Sequence, residues 1–247
     1  MENSVPIIEL RNASIYSGGT GKKQPGPDDN LVVADVNVDI YPGELVYLIG
    51  RVGSGKSSFL RTLYADLPLY TGTGTVAGFE LHRIKRKQVP LLRRKLGIVF
   101  QDYKLLGDRN VYENLRFVLK ATAWKNDREI QQRIGEVLER VGLSHKIHKM
   151  PSEMSGGEQQ RLAVARALLN NPEVILADEP TGNLDPSTAD GIMAIFQGVA
   201  ASGCAVVMAT HNVNNLQKYP SRTLRFNQGK VEDIDTSTIF GRKPEQG

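Results

Sequence analysis

The chain changes hydrophobic rhythm several times, and each change predicts an element. Ile7 to Tyr16 reads as a first strand. From Leu31 to Ile40 apolar residues alternate, with Val32, Ala34, Val36, Val38 and Ile40 on one expected face of a second. Leu45 to Ile49 is a short unbroken apolar run, the pattern of a strand buried on both faces; Val174 to Ala177 and Ala205 to Ala209 repeat it, and Leu96 to Phe100 is a further short strand. Between Val111 and Val141 the spacing becomes helical, through Leu115, Val118 and Leu119, then Ile130, Ile134, Val137, Leu138 and Val141. Glu158 to Leu169 reads as a helix stopped by Asn170-Asn171-Pro172, because proline cannot continue it. Tyr41-Pro42-Gly43 is a turn, and Ser17 to Asn30, rich in Gly, Pro and Asp, a mobile surface loop.

Strands alternating with helices, with polar residues at strand ends, predict an α/β fold with a parallel-sheet core and ligands at its carboxyl edge. The mostly helical stretch reads as a subdomain inserted into that core. At 247 residues, 40% hydrophobic and 23% charged, the chain can bury a full core without disulfides. Its one cysteine, Cys204, sits in an apolar run and is expected to be buried and inert in a reduced, cytosolic setting. The start, Met1-Glu2-Asn3-Ser4, has no apolar core of signal-peptide length, and no stretch approaches the roughly 20 apolar residues of a membrane span. Action at a membrane therefore calls for a partner.

Two motifs carry the chemistry. Gly50-Arg51-Val52-Gly53-Ser54-Gly55-Lys56-Ser57 follows a predicted strand and precedes a helix starting near Ser58. That context identifies a phosphate-binding loop whose glycines let backbone N–H groups converge on phosphate oxygens, with the helix dipole behind them. Lys56 is expected to reach the β- and γ-phosphates and Ser57 to offer its hydroxyl to Mg2+. Asp178 and Glu179 end an apolar strand beside that loop; Asp178 suits a Mg2+ ligand and Glu179 a group that orients or deprotonates an attacking water.

These residues resemble the nucleotide-binding domain of ATP-binding-cassette (ABC) proteins. The matches continue in the family's order along nearly the whole chain. Gln101 matches the glutamine that senses Mg2+ and the γ-phosphate, Ser155-Gly156-Gly157-Glu158-Gln159 the signature motif, Asn183-Leu184-Asp185 the D-loop, and His211 the switch histidine. Tyr16 matches the aromatic that stacks on adenine. The resemblance implies a P-loop NTPase fold with an antiparallel β subdomain: one ATPase domain over residues 6–230, a helical subdomain inserted at about 102–165, and a tail over 231–247. It implies ATP and Mg2+ as cofactors, Glu179, His211, Gln101 and Lys56 as catalytic residues, and Ser57, Gln101 and Asp178 as metal ligands. Ser155 can cap a helix whose bare Gly156 and Gly157 let N–H groups approach an anion closely. A second anion-binding helix start makes sense if it serves the nucleotide of another copy, so an ATP-dependent homodimer is expected.

The stretch from Met154 to Asp185 resembles a branch of the family shared by cell-division, lipoprotein-release and macrolide-efflux ATPases, and Val89 to Asn114, with Met208 to Asn212, looks most like its cell-division members. Likeness to those members implies an FtsX-like integral membrane protein as partner, a position at the cytoplasmic face of the bacterial inner membrane, and control of peptidoglycan hydrolysis. The alternatives are an ATPase for lipoprotein release or macrolide efflux and, less favoured, a soluble ABC ATPase acting on nucleic acid. The formal charge is +4, and His82-Arg83-Ile84-Lys85-Arg86-Lys87 with Arg93-Arg94-Lys95 is the strongest charge cluster. A solvated face is the first explanation of that cluster, an anionic lipid surface the second, and nucleic acid the third, since no aromatic residues are interleaved.

Overall fold

The computed structural model describes residues 5–17 and 30–234. Most of the loop expected at Ser17 to Asn30, and the chain after Ile234, lie outside the described residues.

Two sheets organise the molecule. The larger has six strands: β3 (Leu45–Gly50), β6 (Leu96–Val99), β7 (Val174–Asp178), β8 (Ala205–Ala209), β9 (Arg222–Asn227) and β10 (Lys230–Ile234), in the order β10-β9-β3-β8-β7-β6. All neighbours run parallel except the β9–β10 hairpin. The chain from 231 to 234, expected to begin a tail, is therefore the sheet's edge strand. The smaller sheet is antiparallel: β1 (Ile8–Tyr16), β2 (Leu31–Ile40), β4 (Thr71–Val76) and β5 (Phe79–Glu80), ordered β2-β1-β4-β5.

Alternation along the parallel strands sends side chains into two cores. Val46, Leu48, Val174, Leu176, Ala205 and Val207 pack toward the antiparallel sheet, with Phe59, Leu60 and Leu63 of helix α1 (Lys56–Leu63) between the layers. Tyr47, Ile175, Ala177, Val206 and Met208 pack the other way, against α3 (Val111–Ala121), α4 (Asp127–Arg140), α5 (Gly156–Leu168) and α6 (Pro186–Ala201). This double burial explains why those strands are unbroken apolar runs. Short helices α2 (Val89–Arg94) and α7 (Val213–Lys218) complete the order.

Two features of the pattern differ from expectation. In β2 the buried residues are Val33, Val36, Val38 and Ile40, not an unbroken even-numbered set. Asp35 sits at φ 50°, and the pairing with β1 shifts register around Ala13 and Ile15, so a bulge turns Val33 inward in place of Val32 and Ala34. In α5 the helix begins at Gly156, two residues earlier than its apolar spacing indicates, because Ser155 caps it there.

Candidate nucleotide-binding site

The carboxyl ends of β3, β7 and β8 lie side by side and deliver the expected residues to one edge. The loop Gly50 to Gly55 leaves β3 and runs straight into α1. Side chains cap the starts of α3 (Asn110), α4 (Asn126), α5 (Ser155), α6 (Asp185) and α7 (Asn212), whereas α1, which begins after Gly55, and the short α2 have no side-chain cap. The first N–H groups of α1 are thus left for an external acceptor, as an anion site requires. Gly50 and Gly55 are obligatory: a Cβ on Gly50 would lie 2.5 Å from the Phe226 carbonyl oxygen, and Gly55 has φ 107° with the Val32 and Val33 side chains at 2.6 Å. Arg51 and Val52 form the exposed crest of the loop, Gly53 has φ 80°, and Ser54 has a buried hydroxyl with no hydrogen-bond partner. Lys56 is buried, and its Nζ donates to the carbonyl oxygens of Gly50 at 2.8 Å and Arg51 at 3.1 Å, so the ammonium is folded over the loop. Ser57 and Ser58 follow in the first turn of α1.

Ser57 and Asp178 line the same small cleft, with Tyr64, Phe100 and Leu176. A hydroxyl and a carboxylate are hard oxygen donors suited to Mg2+. Among the described residues no group of three or more His, Cys, Asp or Glu could hold a metal, so a Mg2+ beside Ser57 and Asp178 would complete its shell with other oxygen donors such as an amide, water and phosphate. The donor set fits a Mg2+–nucleotide rather than a stand-alone metal centre. Gln101 is exposed in the turn after β6, one strand over from Asp178 in the register Val99↔Ala177.

Glu179 follows Asp178 at φ 48°, an uncommon conformation for a residue with a Cβ. Its N–H donates to the Ala209 carbonyl at 2.9 Å, which ties the turn to the end of β8. The carboxylate, only 12% exposed, lies 2.8 Å from Nδ1 of His211 and accepts the His211 backbone N–H at 3.3 Å. Nδ1 therefore carries the proton shared with Glu179, leaving Nε2 as the free ring nitrogen. Behind this pair, Asn215 Nδ2 donates to Thr181 Oγ1 at 2.8 Å in a fully buried contact that joins the turn after Glu179 to α7. Neither residue stands out in the sequence, because only the fold brings them together. Tyr16, at the end of β1, stands edge-on to Tyr70 with ring centroids 6.4 Å apart.

The second glycine pair lies elsewhere on the chain. Ser155 Oγ accepts the Glu158 N–H at 3.2 Å, and Glu158 accepts the Ser155 N–H at 2.9 Å, a reciprocal box that fixes the start of α5. The Ser155 N–H, then Lys146 at 3.2 Å, hold the Glu158 carboxyl below the usual range. Ser155, Gly157 and Glu158 border a cleft of about 260 Å3 with Gly142, Leu143, His145, Arg161 and Thr188, none of them part of the phosphate loop or the acidic pair. A Cβ on Gly157 would meet Thr188 Cγ2 at 2.4 Å. Asp185, which caps α6 by accepting the Thr188 N–H at 3.0 Å, borders the same region.

Of the basic cluster, Arg93 is committed internally, donating to the Tyr64 and Ala65 carbonyls at 3.1 and 3.3 Å, and Lys95 pairs with Glu173 at 2.9 Å. Arg83, Lys85, Arg86 and Lys87 are exposed. Among the described residues no helix is long and apolar enough to cross a membrane.

Comparison with known proteins agrees with this geometry. A family model described as ABC transporter matches residues 33–182. The chain is similar to the cell division ATP-binding protein FtsE of Streptococcus pneumoniae serotype 2, 44% identical over 236 residues that cover 95% of this chain and 98% of the relative. It is 42% identical to FtsE of Mycobacterium tuberculosis over 84% of this chain and 90% of that one. Among solved structures, the dimeric post-hydrolysis state of the ATP-binding cassette MJ0796 bound to ADP and Pi superposes with a TM-score of 0.80 at 28% identity, covering 93% of this chain and 98% of its own. With the phosphate loop, the acidic strand end and the capped glycine pair in place, and the family match covering more than half its length, the chain belongs to the ABC transporter family.

Proposed function

We propose that this chain is the ATP-binding and ATP-hydrolysing subunit of a bacterial cell-division complex, acting as an ATP-dependent homodimer on an FtsX-like integral membrane protein at the cytoplasmic face of the inner membrane. The observation that carries the hydrolytic part is the shielded Glu179 carboxylate bonded to His211 at the carboxyl edge of the sheet, beside an uncapped phosphate-binding helix. The cell-division part rests on the 44% identity to a cell division ATP-binding protein across 95% of the chain.

In this proposal the N-terminal N–H groups of α1 and the Lys56 ammonium take the phosphates, and Tyr16 supports the adenine. Ser57, Asp178 and Gln101 would hold Mg2+, which would supply neutralisation of the phosphate charge. Glu179 accepts the proton of the water that attacks the γ-phosphorus as the bond to the β–γ bridging oxygen breaks, giving ADP and phosphate. His211, oriented by Glu179 through Nδ1, presents Nε2 to the γ-phosphate. Gly156 and Gly157, placed away from their own phosphate loop, serve the nucleotide of the partner copy, so one dimer contains two shared sites.

Replacing Glu179 with Gln keeps the shape and removes the base. ATP binding should be retained while turnover falls by about 100-fold or more, and the protein should accumulate as an ATP-bound dimer in size-exclusion chromatography. Unchanged turnover would remove Glu179 from the role of base. Failure of any integral membrane protein to co-purify with the Glu179→Gln protein in ATP would count against the membrane-partner reading.

A further inference from the structure

The basic segment that joins the antiparallel sheet to β6 has no task in the proposed chemistry. None of the residues from Leu81 to Gln101 is acidic. Arg83, Lys85, Arg86 and Lys87 are exposed, Arg94 is half-buried, and none of them forms an ion pair among the described residues. Elsewhere on the surface cations meet carboxylates, as Arg61 does Asp66 and Lys149 does Glu153, both at 2.8 Å. A solvated face mixes its signs in that way, because like charges held together repel.

The backbone of the segment is fixed. Leu81 and Leu92 are buried and Ile84 packs on the same core, so apolar residues anchor it at both ends and in the middle. His82 Nδ1 accepts the Gly74 N–H at 3.4 Å. Between the anchors, the Lys85 N–H donates to Gln88 Oε1 at 2.9 Å and the Gln88 N–H to the Lys85 carbonyl at 2.8 Å. The Leu91 and Leu92 N–H groups then donate to the Gln88 carbonyl as α2 begins. A turn already ordered loses little backbone entropy when something binds its cations. Because β6 is the edge strand of the larger sheet, the segment that feeds it lies at the sheet's rim. Leu91, four residues after Lys87 and three before Arg94, is 48% exposed, and Pro90 beside it is exposed too. A leucine set among cations is the composition of an interfacial segment, whose charges attract anionic headgroups while the apolar side chain enters the acyl boundary. Single-stranded nucleic acid fits less well, since no Phe, Tyr or Trp for base stacking lies between Leu81 and Lys95.

We infer that Arg83, Lys85, Arg86, Lys87 and Arg94, with Leu91 among them, form a contact surface for an anionic phospholipid bilayer, a second hold on the membrane beside the integral partner. The inference deepens the proposed position at the inner membrane and rests on it. Each cation close to anionic lipid multiplies the partition about fivefold.

Sedimentation of the full chain with vesicles tests this in the absence of any protein partner. One set of vesicles holds equal parts of phosphatidylglycerol and phosphatidylcholine, the other phosphatidylcholine alone. The chain should bind the first set, lose most of that binding as salt is raised, and ignore the second. Lys85→Gln, Arg86→Gln and Lys87→Gln combined should lower the partition about 100-fold, the product of three fivefold losses. Leu91→Ser should lower it several-fold with the salt dependence unchanged, because it removes apolar insertion and no charge. Both variants should keep the parent's melting temperature and basal ATP hydrolysis, which distinguishes a lost surface from a lost fold. No binding to anionic vesicles at low salt, equal binding to both sets, or parent-like partition of either variant would overturn the inference. So would tighter binding to a single-stranded oligonucleotide than to anionic vesicles at equal salt, which would assign the cations to nucleic acid. Vesicle binding by a chain that retains no membrane protein would refute the integral partner and leave the lipid surface standing; the reverse result would refute the lipid surface alone.

Discussion

At the scale of single residues, the site depends on a few positions where no other side chain fits. Gly157 is one, since Thr188 Cγ2 occupies the space of a Cβ. Gly157→Ala should lower stability by about 1–3 kcal/mol through overpacking, and adding Thr188→Ser, which deletes that methyl, should recover part of the loss in a thermal melt. The phosphate-loop glycines, Lys56, Asp178 and Glu179 are legible in the sequence from their residue types and their places at strand ends, whereas His211 and the Gly156-Gly157 pair are picked out by the family resemblance. The left-handed conformation of Glu179, the clash that enforces Gly157, and the buried contact between Thr181 and Asn215 are not legible there, because each is made by a neighbour distant in the chain.

Secondary-structure elements divide in the same way. The strands β3, β7 and β8 are legible because both their faces are buried, and α3 and α4 because their apolar stripes recur at helical spacing. The strand β4, Thr-Gly-Thr-Gly-Thr-Val, lacks the apolar alternation of a strand. The helix α6, whose Ala, Gly and Ile residues are spread around its girth, lacks a polar stripe that would reveal its period. The start of α5 makes a pH-dependent contribution that belongs to this scale. The folded pKa of Glu158 is depressed, so its stabilisation is complete above the unfolded value and disappears as pH falls through the lower folded one. Acid titrations of wild type and Glu158→Gln should therefore differ by a constant amount above about pH 4.5 and converge only as pH falls on through the lower folded value. Curves that run parallel throughout would show that the box contributes no titrating energy.

Across the whole molecule, the parallel and antiparallel sheets must hold a fixed distance for α1 to sit between them with its N-terminus open. Arg222 on β9 bridges them, its guanidinium meeting the Asp39 carbonyl at the end of β2, Glu44 at 3.2 Å and Asp233 of β10 at 2.8 Å. Arg222→Met should destabilise the fold by about 2 kcal/mol, read as a shift in denaturant midpoint, and weaken nucleotide binding in parallel because the two layers share α1. A loss of stability with unaltered nucleotide affinity would separate the layer contact from the site. The folding of Lys56 over its own loop has a kinetic corollary. With the ammonium already satisfied by two carbonyls, an arriving nucleotide exchanges partners around a formed cradle instead of ordering a slack one. Its association rate should therefore follow electrostatic encounter and fall with ionic strength, with little of the slow, salt-insensitive phase that loop ordering would impose.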